Sequence, residues 1–169
     1  GYSDAINGEV RELVQSGNTY SYADKPAMES KAVATRVVEC IRKDLFDFIT
    51  VNFANADMVG HTGDFRAACK GVKAMDTEVK KIVDAVLKCK GAVIITADHG
   101  NAEIMYNPKT GAMETEHSTS PVPLMVISHQ YKKTALKTGR LADVAPTILA
   151  LLGIPKPKEM TGNVLGNFK

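Results

Sequence analysis

The sequence predicts an α/β fold in which helices pack on a sheet, and three features carry that prediction. Short apolar segments rich in β-branched and aromatic residues alternate with longer segments of helical periodicity. Hydrophobic residues make up 44% of the 169 residues, which is enough for one ordinary core. No repeat, low-complexity tract or proline-rich linker divides the chain. We therefore expect residues 1–169 to form a single α/β unit.

The first predicted helix covers residues 27–44. Asp24 is a candidate cap and Pro26 suits the start of a helix. Apolar residues follow near helical spacing, namely Met28, Val33, Val37, Ile41 and Leu45. The next segment, LFDFITVNF, has the β-branched and aromatic composition of a buried strand. It predicts a strand over 46–53.

A long second helix is predicted between this strand and the next one. Asp64 is its candidate cap. One apolar stripe runs along it and contains Phe65, Cys69, Val72, Met75, Val79, Ile82, Val86 and Cys89. The segment GAVIITA then predicts a strand over 91–97. Strand, helix and strand form a βαβ unit, so we expect the first two strands to be parallel.

The C-terminal part predicts a turn, a third strand and a short helix. Asn107–Gly111 has the composition of a tight turn in a small hairpin, and VPLMVIS predicts a strand over 122–128. The segment LADVAPTILALLGIP predicts a helix that Asp143 caps and Gly153 stops, with Pro155 beyond its end.

Charge and cysteine usage narrow the class of protein. The 21 basic and 19 acidic residues are scattered, which argues against nucleic acid or an anionic membrane as partner. The apolar runs are too short to cross a bilayer, and no signal peptide is evident. Cys40, Cys69 and Cys89 lack CxxC spacing, so we expect buried, reduced thiols. These features predict a soluble, cytoplasmic protein.

Acidic and histidine residues stand where the predicted strands begin or end. Asp57 and His61 follow the first strand, Asp98 and His99 end the second, and His117 precedes the third. Ligands in open α/β sheets gather at the carboxyl ends of parallel strands. We therefore expect these five side chains to converge at one edge of the sheet.

Carboxylates and neutral imidazoles together suit Mn²⁺, Zn²⁺ or Co²⁺, or Mg²⁺ if more oxygen ligands join. Five side chains are too many for one catalytic zinc with its water. Two ions about 3.5–4 Å apart would use them all, as in sites that clamp both oxygens in phosphoryl transfer. For any one of these residues, a helix cap or a satisfied polar group is the favoured explanation, but five at matching positions favour metal binding. His129 lies among polar residues and is predicted to be on the surface.

Three motifs resemble a known family. NADMVGHTGD at 55–64, TADHGNAE at 96–103 and HSTSPVP at 117–123 are similar, in order and spacing, to the C-terminal part of 2,3-bisphosphoglycerate-independent phosphoglycerate mutases, in the alkaline phosphatase superfamily. PKEMTGNVL at 157–165 fits the same pattern, so the resemblance covers essentially the whole chain. It implies a three-layer sheet with helices on both faces, incomplete in this chain.

The resemblance also implies a site and an activity. Asp57, His61 and His117 would hold one divalent ion, while Asp98 and His99 would help to hold a second, with Mn²⁺ favoured over Mg²⁺. Such enzymes are isomerases that interconvert 3-phosphoglycerate and 2-phosphoglycerate through a phosphoserine intermediate. The family resemblance further implies a monomer.

The chain departs from the family in what it lacks. Members carry a nucleophilic serine and a further aspartate ligand near their N-terminus, and an inserted domain holds the substrate. Ser3, Ser16, Ser21 and Ser30 do not stand at a strand end in the family's pattern, so the catalytic serine stays unassigned. We expect residues 1–169 to be the C-terminal segment of the metal-binding domain, inactive by itself.

Three alternatives remain open at this point. Phosphopentomutases and alkaline phosphatases share the ADHG-type core, but phosphopentomutases typically place charged or aromatic residues after the final histidine, where this chain has HSTSPVP. A metal-binding domain without turnover is the second alternative, since no nucleophile is assigned. The third is an all-helical phosphohydrolase with an HD pair, whose order is His then Asp on helices; the predicted strands disfavour it.

Overall fold

The computed structural model describes residues 4–168 and contains four α-helices and two strands among them. The elements in chain order are α1 (Ser30–Arg42), α2 (Asn55–Gly60), α3 (Phe65–Lys88), β1 (Ala92–Thr96), β2 (Leu124–Ser128), a 3₁₀ turn (Leu141–Asp143) and α4 (Val144–Leu151). Helix α3 packs against both α1 and α2, and the chain passes from its end directly into β1. These elements form a helical region, α1 to α3, and a small sheet region, which consists of β1, β2 and their connection.

Helix α1 begins later than the sequence predicts. Residues 27–29 were expected to be helical, but Met28 has φ +46, a left-handed value that interrupts a right-handed helix. Asp24 therefore does not cap it, and the N-cap position falls on Glu29 without a side-chain capping bond. The Pro26 carbonyl instead accepts a hydrogen bond of 2.8 Å from the buried amide of Asn55, which ties this turn to α2.

Helix α3 has the predicted extent, and its cap is the predicted one. Asp64 accepts a hydrogen bond of 2.9 Å from the Ala67 backbone N–H, which satisfies one of the free donors of the first turn. The buried face differs from the predicted stripe and consists of Ala67, Ala68, Gly71, Glu78, Ile82 and Ala85. Phe65 is 63% exposed and Val72 is 39% exposed. The predicted stripe was therefore wrong for its exposed members, Phe65, Cys69, Val72 and Cys89, whereas Ile82 is buried and Met75, Val79 and Val86 are half-buried.

Close backbone approach explains why small residues occupy this face. A Cβ placed on Gly71 would lie 3.0 Å from the Pro26 carbonyl oxygen, so a larger residue would push the two segments apart. Val59 of α2 is fully buried against Ala67 and Ala68, and Met105 joins the same cluster. The burial of Val59 therefore holds helix α2 in place next to Asp57 and His61.

The sheet has two antiparallel strands, with Ala92 paired to Ser128 and Thr96 paired to Leu124. Its strands match the predicted ranges 91–97 and 122–128 within two residues. The predicted strand over 46–53 was wrong, and with it the parallel βαβ pair. A strand exists only through hydrogen bonds to a neighbour, and within residues 4–168 the only ladder joins β1 to β2.

Two local predictions in the C-terminal part are confirmed. The Gly111 N–H donates to the Asn107 carbonyl at 2.9 Å, and Gly111 has φ +72, as the tight turn requires. Helix α4 ends at Leu151, Gly153 beyond it has φ +69, and the Ile154 N–H donates to the Leu149 carbonyl at 2.9 Å. This is the Schellman arrangement that glycine favours at a helix end.

Asp143 has a different role from the one predicted. It is 3% exposed, and its carboxylate accepts 2.7 Å hydrogen bonds from the backbone N–H groups of Asn163 and Arg140. It makes no side-chain capping bond to α4. The bonds from Asn163 and then Arg140 hold the pKa of Asp143 below its ordinary value. The residue therefore joins the C-terminal segment to the turn before α4.

The three cysteines are free thiols, but they are not all buried. Cys40 is buried in α1, whereas Cys69 and Cys89 are exposed, so the expectation of burial was wrong for two of the three. Helix α3 turns its small residues inward, which leaves Cys69 on the outer face. Among the helices of residues 4–168, none combines the length and apolar character that crossing a bilayer requires.

Candidate metal centre

Helix α2 places the first two predicted site residues on one face. Asp57 and His61 are four residues apart, a spacing that makes side chains neighbours on a helix. Their Oδ1 and Nε2 atoms lie 3.2 Å apart. Gly63, with φ +71, turns the chain directly after this pair and into α3. Gly63 therefore allows the chain to turn between α2, which positions Asp57 and His61, and α3.

His117 reaches the pair from the long connection between β1 and β2. A bridge between Gly100 and Ser118, with the Ser118 N–H donating to the Gly100 carbonyl at 2.8 Å, draws this connection back toward the end of β1. His117 Nε2 then lies 3.1 Å from Asp57 Oδ1 and 3.1 Å from His61 Nε2. Three atoms from residues far apart in sequence form a triangle with sides of 3.1–3.2 Å.

The triangle has nearly the size that a metal ion requires. Nitrogen and oxygen ligands at about 2.0–2.2 Å around a tetrahedral ion stand roughly 3.4 Å from one another. The observed sides of 3.1–3.2 Å are close to that spacing. A carboxylate oxygen and imidazole nitrogens are also the donors that borderline divalent cations prefer. The residues present therefore fit a divalent ion in both spacing and chemistry.

The hydrogen bond on the far side of the His61 ring fixes its tautomer. His61 Nδ1 lies 2.5 Å from the Thr115 carbonyl oxygen, which can only accept, so Nδ1 carries the proton. In the neutral ring the lone pair is then on Nε2, the atom that faces Asp57 and His117. Metal-binding histidines in proteins are commonly oriented by such a bond.

His99 joins the same cluster. Its ring stacks on that of His117 with centroids 3.7 Å apart and planes at 22°. His99 Nε2 is 3.9 Å from Asp57 Oδ1, and Asp57, His99 and His117 each offer a ligand atom within 4.8 Å of the others. His99 thus lies close to Asp98 and also close to the residues that the resemblance assigns to the first ion.

Asp98 lies at the rim. Its Oδ2 atom is 3.7 Å from His99 Nε2, and its side chain is 88% exposed. The structure therefore brings Asp57, His61, His99 and His117 together, while Asp98 borders the group from outside. His129 is exposed, as expected. That these residues act as ligands stays a prediction.

Asn101 is a member of the cluster that sequence reasoning missed. The residue is 5% exposed, and its Nδ2 donates to Asp57 Oδ1 at 2.9 Å. The same nitrogen lies 3.4 Å from His61 Nε2. The one available signal was its place in TADHGNAE, two residues after His99.

Glu103 was also missed, and it joins the two loops that carry His99 and His117. One carboxylate oxygen accepts a hydrogen bond from the Ser118 hydroxyl, and the other accepts one of 2.8 Å from the Asn101 N–H. These bonds, the Ser118 one above all, hold the pKa of Glu103 down to about 2. Its carboxylate is therefore ionised at neutral pH and accepts from both loops.

Comparison with known proteins agrees with this geometry. Residues 1–156 match the profile of the Metalloenzyme superfamily. The chain belongs to that superfamily. Its relatives include proteins named 2,3-bisphosphoglycerate-independent phosphoglycerate mutase from Clostridioides difficile and Acetivibrio thermocellus, which are 45% and 49% identical and are matched over 98% of this chain. Each match covers 32% of the relative, so the chain spans about a third of the length of these curated relatives.

A solved structure supports the same relationship at the level of the fold. The phosphoglycerate mutase of Leishmania mexicana, with crystal structures at low cobalt concentration, is 32% identical to this metalloenzyme chain, with a TM-score of 0.79. The match covers 90% of this chain and 30% of that one. Together with the mixed helices and small sheet, it confirms the predicted α/β class and agrees with an incomplete alkaline phosphatase-like fold.

Proposed function

We propose that residues 1–169 are the C-terminal metal-binding segment of a 2,3-bisphosphoglycerate-independent phosphoglycerate mutase, an isomerase that interconverts 3-phosphoglycerate and 2-phosphoglycerate. The observation that carries the proposal is the triangle of ligand atoms from Asp57, His61 and His117. Relatives with this name at 45% and 49% identity support the choice of reaction.

We assign Asp57, His61 and His117 to one divalent ion and Asp98 with His99 to a second. Mixed oxygen and nitrogen donors suit Mn²⁺, which we favour over Mg²⁺ because Mg²⁺ prefers oxygen ligands. When bound, such ions supply electrostatic stabilisation to a transferring phosphoryl group and lower the pKa of a nucleophilic hydroxyl. The related Leishmania mexicana enzyme, studied at low cobalt concentration, supports a divalent ion in this superfamily.

The side chains of this segment hold a ligand set and leave it accessible. Asp57 Oδ1 is the shared centre, because it lies within 3.2 Å of His61, His117 and Asn101. The Thr115 carbonyl keeps the His61 lone pair directed inward. The side chains of His61 and His117 are 38% and 50% exposed, so the centre is open to solvent in this segment.

The remaining machinery lies, in this proposal, elsewhere in a longer protein. The serine that receives the phosphoryl group, a further aspartate ligand and the domain that binds glycerate would come from those parts. The match to only about a third of each relative supports this division. We further propose a monomeric, cytoplasmic enzyme whose partner is its small-molecule substrate, with no role for nucleic acid or membrane.

His61→Ala in the full-length protein tests this function. The variant should lose mutase turnover by more than a hundredfold, because the exposed imidazole contributes a ligand rather than core packing. A coupled assay for 2-phosphoglycerate formation measures it, with unfolding by urea as the check on the fold. His129→Ala removes an exposed imidazole outside the centre and should retain wild-type turnover. Turnover of His61→Ala within tenfold of wild type would contradict the assignment.

A further inference from the structure

The orientation of the Asn101 amide is dictated by Asp57. An ionised carboxylate can only accept hydrogen bonds, so the amide must present its NH₂ group to Asp57 Oδ1, at 2.9 Å. The opposite orientation would set the amide oxygen against the carboxylate oxygen. A carboxylate oxygen has two acceptor positions, and the bond from Asn101 leaves one of them for an ion.

This orientation leaves the other end of the amide without a partner. Asn101 Oδ1 is buried and makes no hydrogen bond within the described residues. Buried polar atoms in native proteins nearly always have a partner, and an exception calls for an explanation. Here the chain retains an unsatisfied carbonyl, which lowers stability, in a side chain whose other end reaches the candidate metal ligand.

Gly60 provides the space for that carbonyl. A Cβ at this position would lie 2.2 Å from Asn101 Oδ1 and 2.9 Å from its Cγ, both below the 3.0 Å that real Cβ contacts keep. Gly60 is buried and directly precedes His61. The absence of a side chain at Gly60 therefore provides the space for the Asn101 amide, and the two residues are matched although they lie in different motifs.

We propose that Asn101 is a positioning residue that fixes the carboxylate of Asp57 for a divalent ion, and that Gly60 is glycine in order to admit it. The inference rests on the proposed metal function. Asn101 acts through Asp57 and is not itself assigned as a ligand. Asn101 Nδ2 lies 2.9 Å from Asp57 Oδ1 and 3.4 Å from His61 Nε2, so this one amide is close to two of the three atoms of the triangle.

Asn101→Leu in the full-length protein separates positioning from packing. Leucine keeps the branched shape of the side chain but carries neither the donor nor the unsatisfied carbonyl. The metal-free variant should therefore unfold at no lower urea concentration than wild type. Its affinity for Mn²⁺, measured by calorimetric titration, should nevertheless fall by about tenfold to a hundredfold, as for other residues that orient a metal ligand. Asn18→Ala, at an exposed position outside the centre, should match wild type in both measurements.

Gly60→Ala provides a second, independent arm. Alone it should weaken Mn²⁺ binding by a similar factor, because the new methyl group displaces the amide from Asp57. In an Asn101→Ala background the clash is gone, and Gly60→Ala should add less than a threefold further loss.

The outcomes distinguish failure of this inference from failure of the proposed metal function. Wild-type protein that binds no Mn²⁺ would overturn the proposed function and the inference together. Wild-type binding with equal affinity in Asn101→Leu would overturn the inference alone. A metal-free variant that is less stable yet binds Mn²⁺ normally would show that Asn101 is only a packing residue, and fully additive losses in the double variant would show that Gly60 and Asn101 are not matched.

Discussion

The helical region, α1 to α3, and the sheet region, β1 and β2 with their connection, both supply residues to the candidate centre, but they hold them differently. Asp57 lies in α2 and His61 directly follows its last residue, and the fully buried Val59 anchors this helix. His99 and His117 come from loops that a backbone bridge and hydrogen bonds join. One half of the centre therefore depends on apolar packing, and the other half depends on polar contacts between loops.

The difference reflects how each kind of element satisfies its backbone. A helix makes its hydrogen bonds within itself, so α3 needs only a face to bury. A strand needs a neighbour, and the two-stranded sheet leaves Met125 44% exposed. Two-stranded sheets are marginal unless other elements cover them. The helical region is thus the more self-sufficient part of the described structure.

The largest expected effect tests that contrast directly. Val59→Ala should destabilise the full-length protein by about 2 kcal/mol, because two buried methyl groups are lost and a cavity remains. Val126→Ala makes the same change in half-buried β2 and should cost less than about 1 kcal/mol. Urea unfolding of both variants measures the difference. Equal losses would mean that the sheet region is packed as firmly as the helical region.

The same contrast explains which parts of the structure could be predicted from sequence. The extent of α3 and the cap at Asp64 follow from local periodicity and side-chain chemistry, and both were predicted. The segment 46–53 has a strand composition, but its state depends on a pairing partner that composition does not reveal. The buried face of α3 was mispredicted because close approach at Gly71 favours small residues over the larger apolar ones.

Sequence predicted the cluster better than it predicted the contacts that hold the cluster together. Histidine and aspartate are common metal ligands, so the three residues of the triangle could be predicted from the sequence. Asn101 carries no such signal, because its role depends on a bond to Asp57 and on space at Gly60, both distant in sequence. Glu103 likewise matters through Ser118, a contact that only the fold creates.

A smaller effect, in the sheet region, should be present at neutral pH and fade in acid. The folded-state pKa of Glu103 is lowered to about 2 from an ordinary 4.5, so its carboxylate contributes stability above pH 4.5. That contribution declines as pH falls below 4.5 and is gone below about 2. Glu103→Gln should therefore be less stable than wild type at pH 7, by less than Val59→Ala is, and this deficit should shrink as pH falls toward 2.

Urea unfolding at several pH values between 2 and 7 measures this difference. Glu159→Gln, at an exposed glutamate near the C-terminus, serves as the matched control and should follow wild type throughout. A stability deficit for Glu103→Gln that stays constant from pH 7 to pH 2 would mean that ionised Glu103 does not hold the two loops together.

Anomalous diffraction from crystals of the full-length protein grown with Mn²⁺ tests the central claim most directly, because it locates the ion without reference to activity. The account predicts a manganese peak within about 2.0–2.4 Å of Asp57 Oδ1, His61 Nε2 and His117 Nε2, so that residues of both regions share one ion. The absence of a manganese peak within coordinating distance of Asp57, His61 and His117, in crystals that contain the ion, would contradict it.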